Sequence, residues 1–172
     1  AGSSLGHFYI CEMKAKSVEI IKHLEFSAKS LNDENETIPK SVDFICQDDI
    51  NGLNVAVASK DGTIGFITDV NEPEQVKIHV FHDIDFNYAN NDSNIRINFF
   101  EFYPNNSDFI MIATNISTHL ISLSKGILIP FISSRNCRFI SLLDKENDKV
   151  IVGDDNDIVV WKLVEQKWIR LS

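Results

Sequence analysis

The chain is poor in the residues from which reactive sites are usually built. Its three cysteines, Cys11, Cys46 and Cys137, lie far apart and form no Cys-x-x-Cys spacing. That excludes the common zinc ligand patterns and gives no disulfide framework, so reduced thiols of an intracellular protein are expected. The seven glycines include no glycine-rich phosphate loop, and neither Gly-x-Ser-x-Gly nor Ser-x-x-Lys occurs. Basic residues are outnumbered, 16 against 25 acids, for a net charge of −9. A general affinity for phosphate backbones or anionic membrane needs clustered Lys and Arg, which argues against direct nucleic-acid binding; a basic protein partner is compatible. The longest apolar run, around Ile127–Ile132, is far short of a span and is interrupted by Pro130. The opening Ala1-Gly-Ser-Ser4 has neither the basic nor the apolar region of a signal peptide. It reads as a leader foreign to the protein, so sequence upstream is expected.

What the chain does have is short apolar runs parted by Asn, Asp and Gly. Hydrophobic residues make up 44% of the 172 positions, enough for one folded domain with a sizeable core. Val150-Ile-Val, a turn at Gly153-Asp-Asp-Asn-Asp157, then Ile158-Val-Val-Trp161 is two strands joined tightly. Val55-Ala-Val-Ala, Ser59-Lys-Asp-Gly62, then Thr63-Ile-Gly-Phe-Ile67 repeats the shape, with Asp61-Gly62 the stronger turn signal. His7–Cys11 and Ser17–Phe26 read as strands, the second also fitting a helical face at Ile20, Ile21 and Leu24. Leu31–Thr37 reads as an acidic surface loop. Strands are then expected over 42–46, 53–59, 63–68 and 75–81; over 97–103, 109–114, 118–123 and 126–132; and over 138–143, 149–152, 158–164 and 167–171. Pro130 suits an edge position. Polar loops at 71–74 and 83–94 connect them. No long helix is expected after residue 30.

The expected class is all-β, built from four-strand units whose strands are a, b, c and d. Residues 1–30 form a partial unit, followed by units at about 38–82, 95–133 and 137–172. Phe8, Ile64, Leu120 and Ile158 take the same place at the start of strand c, at steps of 56, 56 and 38 residues. Ser59-Lys-Asp-Gly-Thr-Ile-Gly-Phe-Ile67 and Asp155-Asn-Asp-Ile-Val-Val-Trp161 resemble the Ser-x-Asp-Gly-x-Ile-x-apolar-Trp pattern of WD40-repeat β-propellers, whose blades run about 40–45 residues. Ile67 stands where that family has Trp, and Asn156 where it has Gly. Ser117-Thr-His-Leu-Ile-Ser-Leu123 has lost both the Asp and the Trp. The resemblance implies about three and a half four-stranded blades. Propellers typically have four to eight, so this chain is not expected to close a ring alone: upstream sequence or another chain would complete it.

His79 and His82, with Asp83 and Asp85, look like metal ligands, but strand positions three apart face opposite sides. Asp154, Asp155 and Asp157 lack the loop length, glycine and closing Glu of an EF-hand and read as turn residues. The Phe-Arg-Arg-Gly motif of phosphoinositide-binding propellers is absent, and Ser133-Ser-Arg-Asn136 is a weak substitute. No catalytic residue, metal or cofactor is expected. The resemblance implies a non-catalytic protein–protein interaction scaffold, a subunit of a eukaryotic multiprotein complex in nucleus or cytoplasm, bound to other protein subunits. Its binding face would be made by b–c and d–a loops, with Lys60, Asp61, Asn115 and Asp155 from the former and Phe86, Tyr88 and Arg135 from the latter. Phe86 and Tyr88 stand out as aromatics in a polar loop. Two alternatives remain: an enzyme or ligand-binding domain with a site in the central channel, carried by residues such as Asp43 and Glu101, and a subunit of a nucleic-acid-associated complex.

Overall fold

The structure, a computed structural model, describes residues 2–29, 36–50, 52–70, 78–81, 96–104, 106–132, 136–143, 148–165 and 167–171. These residues are all-β, with no helix among them. In chain order the strands are β1 (His7–Lys14), β2 (Ser17–Glu25), β3 (Ser27–Lys29), β4 (Thr37–Pro39), β5 (Phe44–Gln47), β6 (Val55–Ala58), β7 (Ile64–Ile67), β8 (Ile78–Phe81), β9 (Ile97–Tyr103), β10 (Asn106–Thr114), β11 (Thr118–Ser122), β12 (Ile127–Pro130), β13 (Phe139–Leu142), β14 (Lys149–Gly153), β15 (Ile158–Val164) and β16 (Lys167–Arg170). Among the described residues, β5–β8, β9–β12 and β13–β16 each form a four-stranded antiparallel sheet in sequential order. β1 pairs with β2, and β3 with β4. Pro130 ends the outermost strand of its sheet, where a missing N–H costs least.

Burial explains why the second strands are apolar without alternation. Ile110 and Ile112 of β10 join a core with Ala56, Ala58 and Phe66 of the preceding sheet. The intervening Met111 and Ala113 join a second core with Ile140, Val150 and Val152 of the following sheet. Successive side chains point to opposite faces, so a strand covered on both sides is apolar throughout. Each fully buried Ile contributes about 1.5–3 kcal/mol. Val57 and Ile67 of the first four-stranded sheet cover Phe8 and Phe26 in a third core. Trp168 meets Phe131, from the preceding sheet's exit, edge-on at 5.1 Å between ring centres. The end sheets lack such cover: Met13, Val18 and Ile20 at one end and Ile158, Val164 and Ile169 at the other are exposed.

Three details differ from expectation. β4 takes Thr37, placed above in a loop, and pairs it with Lys29; strands of three residues are too short for a sequence pattern to mark. β10 starts at Asn106 rather than at 109, with a register shift between Asn106 and Ile110. Finally, the residue equivalent to Ile64 and Ile158 is Thr118, not Leu120. Ala58 pairs with Ile64, Ala113 with Thr118 and Gly153 with Ile158, each pair closing its hairpin. The steps become 54 and 40 residues. The correction moves the register by two, which leaves the same side chains facing inward.

The first hairpin has the same closure. The Ser3 N–H donates to the His7 carbonyl (2.8 Å) and the Gly6 N–H to the Ser3 carbonyl, as Ser59 N–H donates to Thr63 and Gly62 N–H to Ser59. Gly6 and Gly62 both have positive φ, 80° and 97°. A Cβ on Gly6 would also lie 2.6 Å from the Phe26 carbonyl oxygen. Ala at Gly6 is therefore expected to destabilise more than Ala at Gly62. The left-handed conformation alone costs about 1–2 kcal/mol, and the backbone clash adds to it. Urea midpoints of the two variants check the order.

Candidate functional site

The four described residues among the expected binding residues lie at the turns between the second and third strands of successive sheets. In each turn a side-chain acceptor satisfies N–H groups that the turn leaves without a ladder partner. Asp61 Oδ1 accepts from the Thr63 N–H (3.0 Å). Thr114 Oγ1 accepts from Ile116 and Ser117 (3.2 and 3.1 Å). Asp154 Oδ1 accepts from Asn156 and Asp157 (2.8 and 2.9 Å). In the third turn Asp154 does this work, and not Asp155 of the resembling motif.

Lys60, Asn115 and Asp155 instead hold one equivalent place, just after Ser59, Thr114 and Asp154, and each ties its turn to the residue entering its sheet's first strand. The Lys60 N–H donates to Asp43 Oδ2 (2.8 Å). Asn115 Oδ1 accepts from the Arg96 N–H (2.9 Å), and the Asn115 N–H donates to the Arg96 carbonyl. Asp155 Oδ1 accepts from Arg138 Nε (2.7 Å). Two of these residues also reach the next sheet: the Lys60 carbonyl accepts from Ile97 N–H (3.1 Å) and the Asn115 carbonyl from Asn136 N–H (3.2 Å). Lys40 Nζ meets Asp61 Oδ2 at 2.8 Å. The result is one edge of mixed charge, Lys40, Asp43, Lys60, Asp61, Arg96, Arg138 and Asp155, in which Lys40 pairs with Asp61 and Arg138 with Asp155. Exposed pairs of this kind order a surface more than they stabilise it. Phe86, Tyr88 and Arg135 lie outside the described residues, as do His82, Asp83 and Asp85.

Partial burial disfavours ionisation of Asp43, but the Lys60 N–H, the Ser41 hydroxyl, the Lys60 charge and the Ser59 hydroxyl together hold its carboxyl below the usual range. The same contest at Asp61 is won by the Lys40 ammonium and Thr63, again lowering the carboxyl.

A second feature lies between the first strands of neighbouring sheets. β5 and β9 flank an open cleft of about 640 Å³, lined by Asp43, Phe44, Cys46, Asp49, Glu101 and Phe102 among others, with no Lys or Arg among the described residues of its wall. Asp43 and Glu101, named for a channel site, both line it. Burial raises the Glu101 carboxyl. Burial, with the Glu101 charge adding to it, pushes the Cys46 thiol up to about 12, so it stays protonated at neutral pH and is no nucleophile. The cleft suits a cationic or polar group. Cys46 and Asp49 escaped the sequence reading because neither sits in a motif.

No family model matches the chain, and no curated protein matches it. Among solved structures it is similar to a complex of KlAtg21 with the coiled-coil of AgAtg16, at a TM-score of 0.54 and 11% identity. The match covers 90% of this chain and 61% of that one. At that identity the likeness shows a shared fold, and this chain spans about three-fifths of that neighbour's length.

Two outcomes follow. A thiol reagent at neutral pH is expected to label exposed Cys11 first, with Cys46 and buried Cys137, whose thiol is pushed up to about 11, reacting fully only after unfolding; peptide mapping reads the order. Because its folded pKa is lowered, Asp43 contributes stability that is present above its ordinary value of 3.8 and lost as pH falls through the folded value. Asp43→Asn should therefore lower the urea midpoint at pH 7, and the gap to the parent chain should close in acid.

Proposed function

We propose that the chain is a segment of a WD40-like β-propeller, about three and a half blades, and serves as a non-catalytic protein–protein interaction scaffold in an intracellular multiprotein complex. The observation that carries this is the ordered run of four-stranded antiparallel meanders, in which β6 and β10 are covered on both faces by the neighbouring sheets. The shared fold with the Atg21 chain, itself solved with a coiled-coil partner, supports both the architecture and a protein partner. Exposed apolar side chains on the first and last sheets fit a ring that needs further polypeptide, from upstream or from another chain, to close. The net charge of −9 favours partners with basic surfaces. The turn edge bearing Lys60, Asp61, Asn115 and Asp155 is the proposed contact face, held rigid by its own hydrogen bonds so that little ordering is lost on binding. Nuclear or cytoplasmic residence goes with this reading.

The acidic cleft between β5 and β9 favours a second reading, a ligand-binding domain or enzyme with its site in the central channel. Affinity capture of the tagged protein with mass spectrometry, and metal analysis of the same sample, separates the two. The scaffold reading expects protein partners in near-stoichiometric amount, with capture weakened about ten-fold by Lys60→Glu, a loss of about 1.4 kcal/mol. Recovery of the chain alone, with one bound metal ion per chain, would replace it with the channel-site reading.

A further inference from the structure

The cleft between β5 and β9 holds two carboxylates in contrasting states. Asp43 is committed to the fold: its Oδ2 accepts from the Ser41 hydroxyl (2.7 Å) and from the Lys60 N–H (2.8 Å). Glu101 is not. Strand β9 buries Phe100 and Phe102 and leaves Glu101 between them exposed. Among the described residues the Glu101 side chain makes no hydrogen bond and no ion pair, and desolvation by its surroundings raises its carboxyl with no donor or cation to offset it. A carboxylate held in that state is a cost that a ligand of opposite charge relieves.

The rest of the wall says what kind of cation fits. A metal ion is held by several converging ligands. Among the described residues no three of His, Cys, Asp and Glu come together in a way that could hold one. Beside Glu101 the cleft is instead apolar, with Phe44, Ile45 and Phe102 in its wall. The Phe44 and Phe100 rings stand 6.4 Å apart between centres, and Ile45 is 44% exposed. An arginine side chain matches both parts. Its head needs a single carboxylate, which its planar fork meets with two N–H groups. Its stem, and the flat face of the guanidinium, pack on apolar and aromatic surface. A volume of about 640 Å³ leaves room for the backbone on either side of that residue.

We propose that the cleft between β5 and β9 takes a basic segment of a partner polypeptide, with one arginine side chain seated on Glu101 and its stem against the apolar wall. The complementarity is local as well as global. No Lys or Arg lies among the described residues of the wall, and the chain as a whole carries a net charge of −9. This rests on the scaffold reading and gives a place to the basic partner it calls for.

The probe is a short alanine peptide with one central arginine, capped at both ends, titrated into the full chain while backbone amide shifts are followed by NMR. Saturable shifts are expected over β5 and over 98–102 of β9. A twin peptide with citrulline in place of arginine keeps the shape without the charge and is expected to bind about ten-fold more weakly. Glu101→Gln is expected to show the same loss while its spectrum stays that of the folded chain. Glu12→Gln removes the same charge from exposed β1 and is expected to bind as the parent does. Equal binding of the two peptides, unchanged affinity in Glu101→Gln, or an equal loss in Glu12→Gln would overturn the proposal, the last because it marks adsorption to net charge. Displacement of the peptide by one equivalent of a divalent metal ion would overturn it in favour of a metal site. Partners captured by the tagged chain despite a failed titration would leave the scaffold reading standing and strike the cleft alone. A saturating titration with no captured partner would strike the scaffold reading and leave the arginine site.

Discussion

Each sheet is fastened to the next at the turn between its second and third strands, and the arrangement of the whole chain depends on that fastening. Ser59 and Thr114 are buried at the ends of their strands. Their turns bend sharply because a nearby side-chain oxygen satisfies the exposed N–H groups. The bend brings a carbonyl, Lys60 or Asn115, under the N–H that enters the next sheet, Ile97 or Asn136. Val42 makes the corresponding bond to the Ser3 carbonyl ahead of the first four-stranded sheet. Apolar burial presses the sheets together without specifying how they slide; these directional bonds fix their offset.

The strands were legible in the sequence because turn and strand chemistry are local. Asp61-Gly62 marks its hairpin unaided, and the unbroken apolar runs Phe109–Ala113 of the doubly covered β10 and Val150–Val152 of β14 stand out. What escaped notice is what depends on tertiary pairing. The second turn has no Asp-Gly, and its work is done by Thr114, a residue typical of strands, so the local pattern points to Leu120 although Thr118 closes the hairpin. In the third turn two adjacent aspartates compete for one role; only the direction of the backbone assigns it to Asp154 and frees Asp155 for Arg138. The bond from Asn115 to Arg96 spans 19 residues and has no signature in either segment. The cleft between β5 and β9 was legible only as two scattered carboxylates, Asp43 and Glu101.

The turn edge is at once a structural fastener and the proposed contact face. The two roles are compatible because they use different atoms. Backbone groups and carboxylate oxygens fasten the sheets, while the Lys60 ammonium and the outer sides of the turns face solvent. A face built this way is rigid and patterned in charge, which suits discrimination between partners more than raw affinity. The exposed apolar ends of the sheet stack, by contrast, offer area without pattern. Together they describe a chain with one ordered, charge-patterned edge and apolar side chains exposed on its first and last sheets.

The most direct measurement of this fastening is residue-resolved amide hydrogen exchange at Val42, Ile97 and Asn136. None of the three is paired within its own sheet by the bond in question, and all three lie next to surface turns. The account predicts that their N–H groups exchange as slowly as the neighbouring strand amides and lose protection only with the whole chain. Exchange at the rate of an open loop would contradict it, because the sheets would then be packed without being joined.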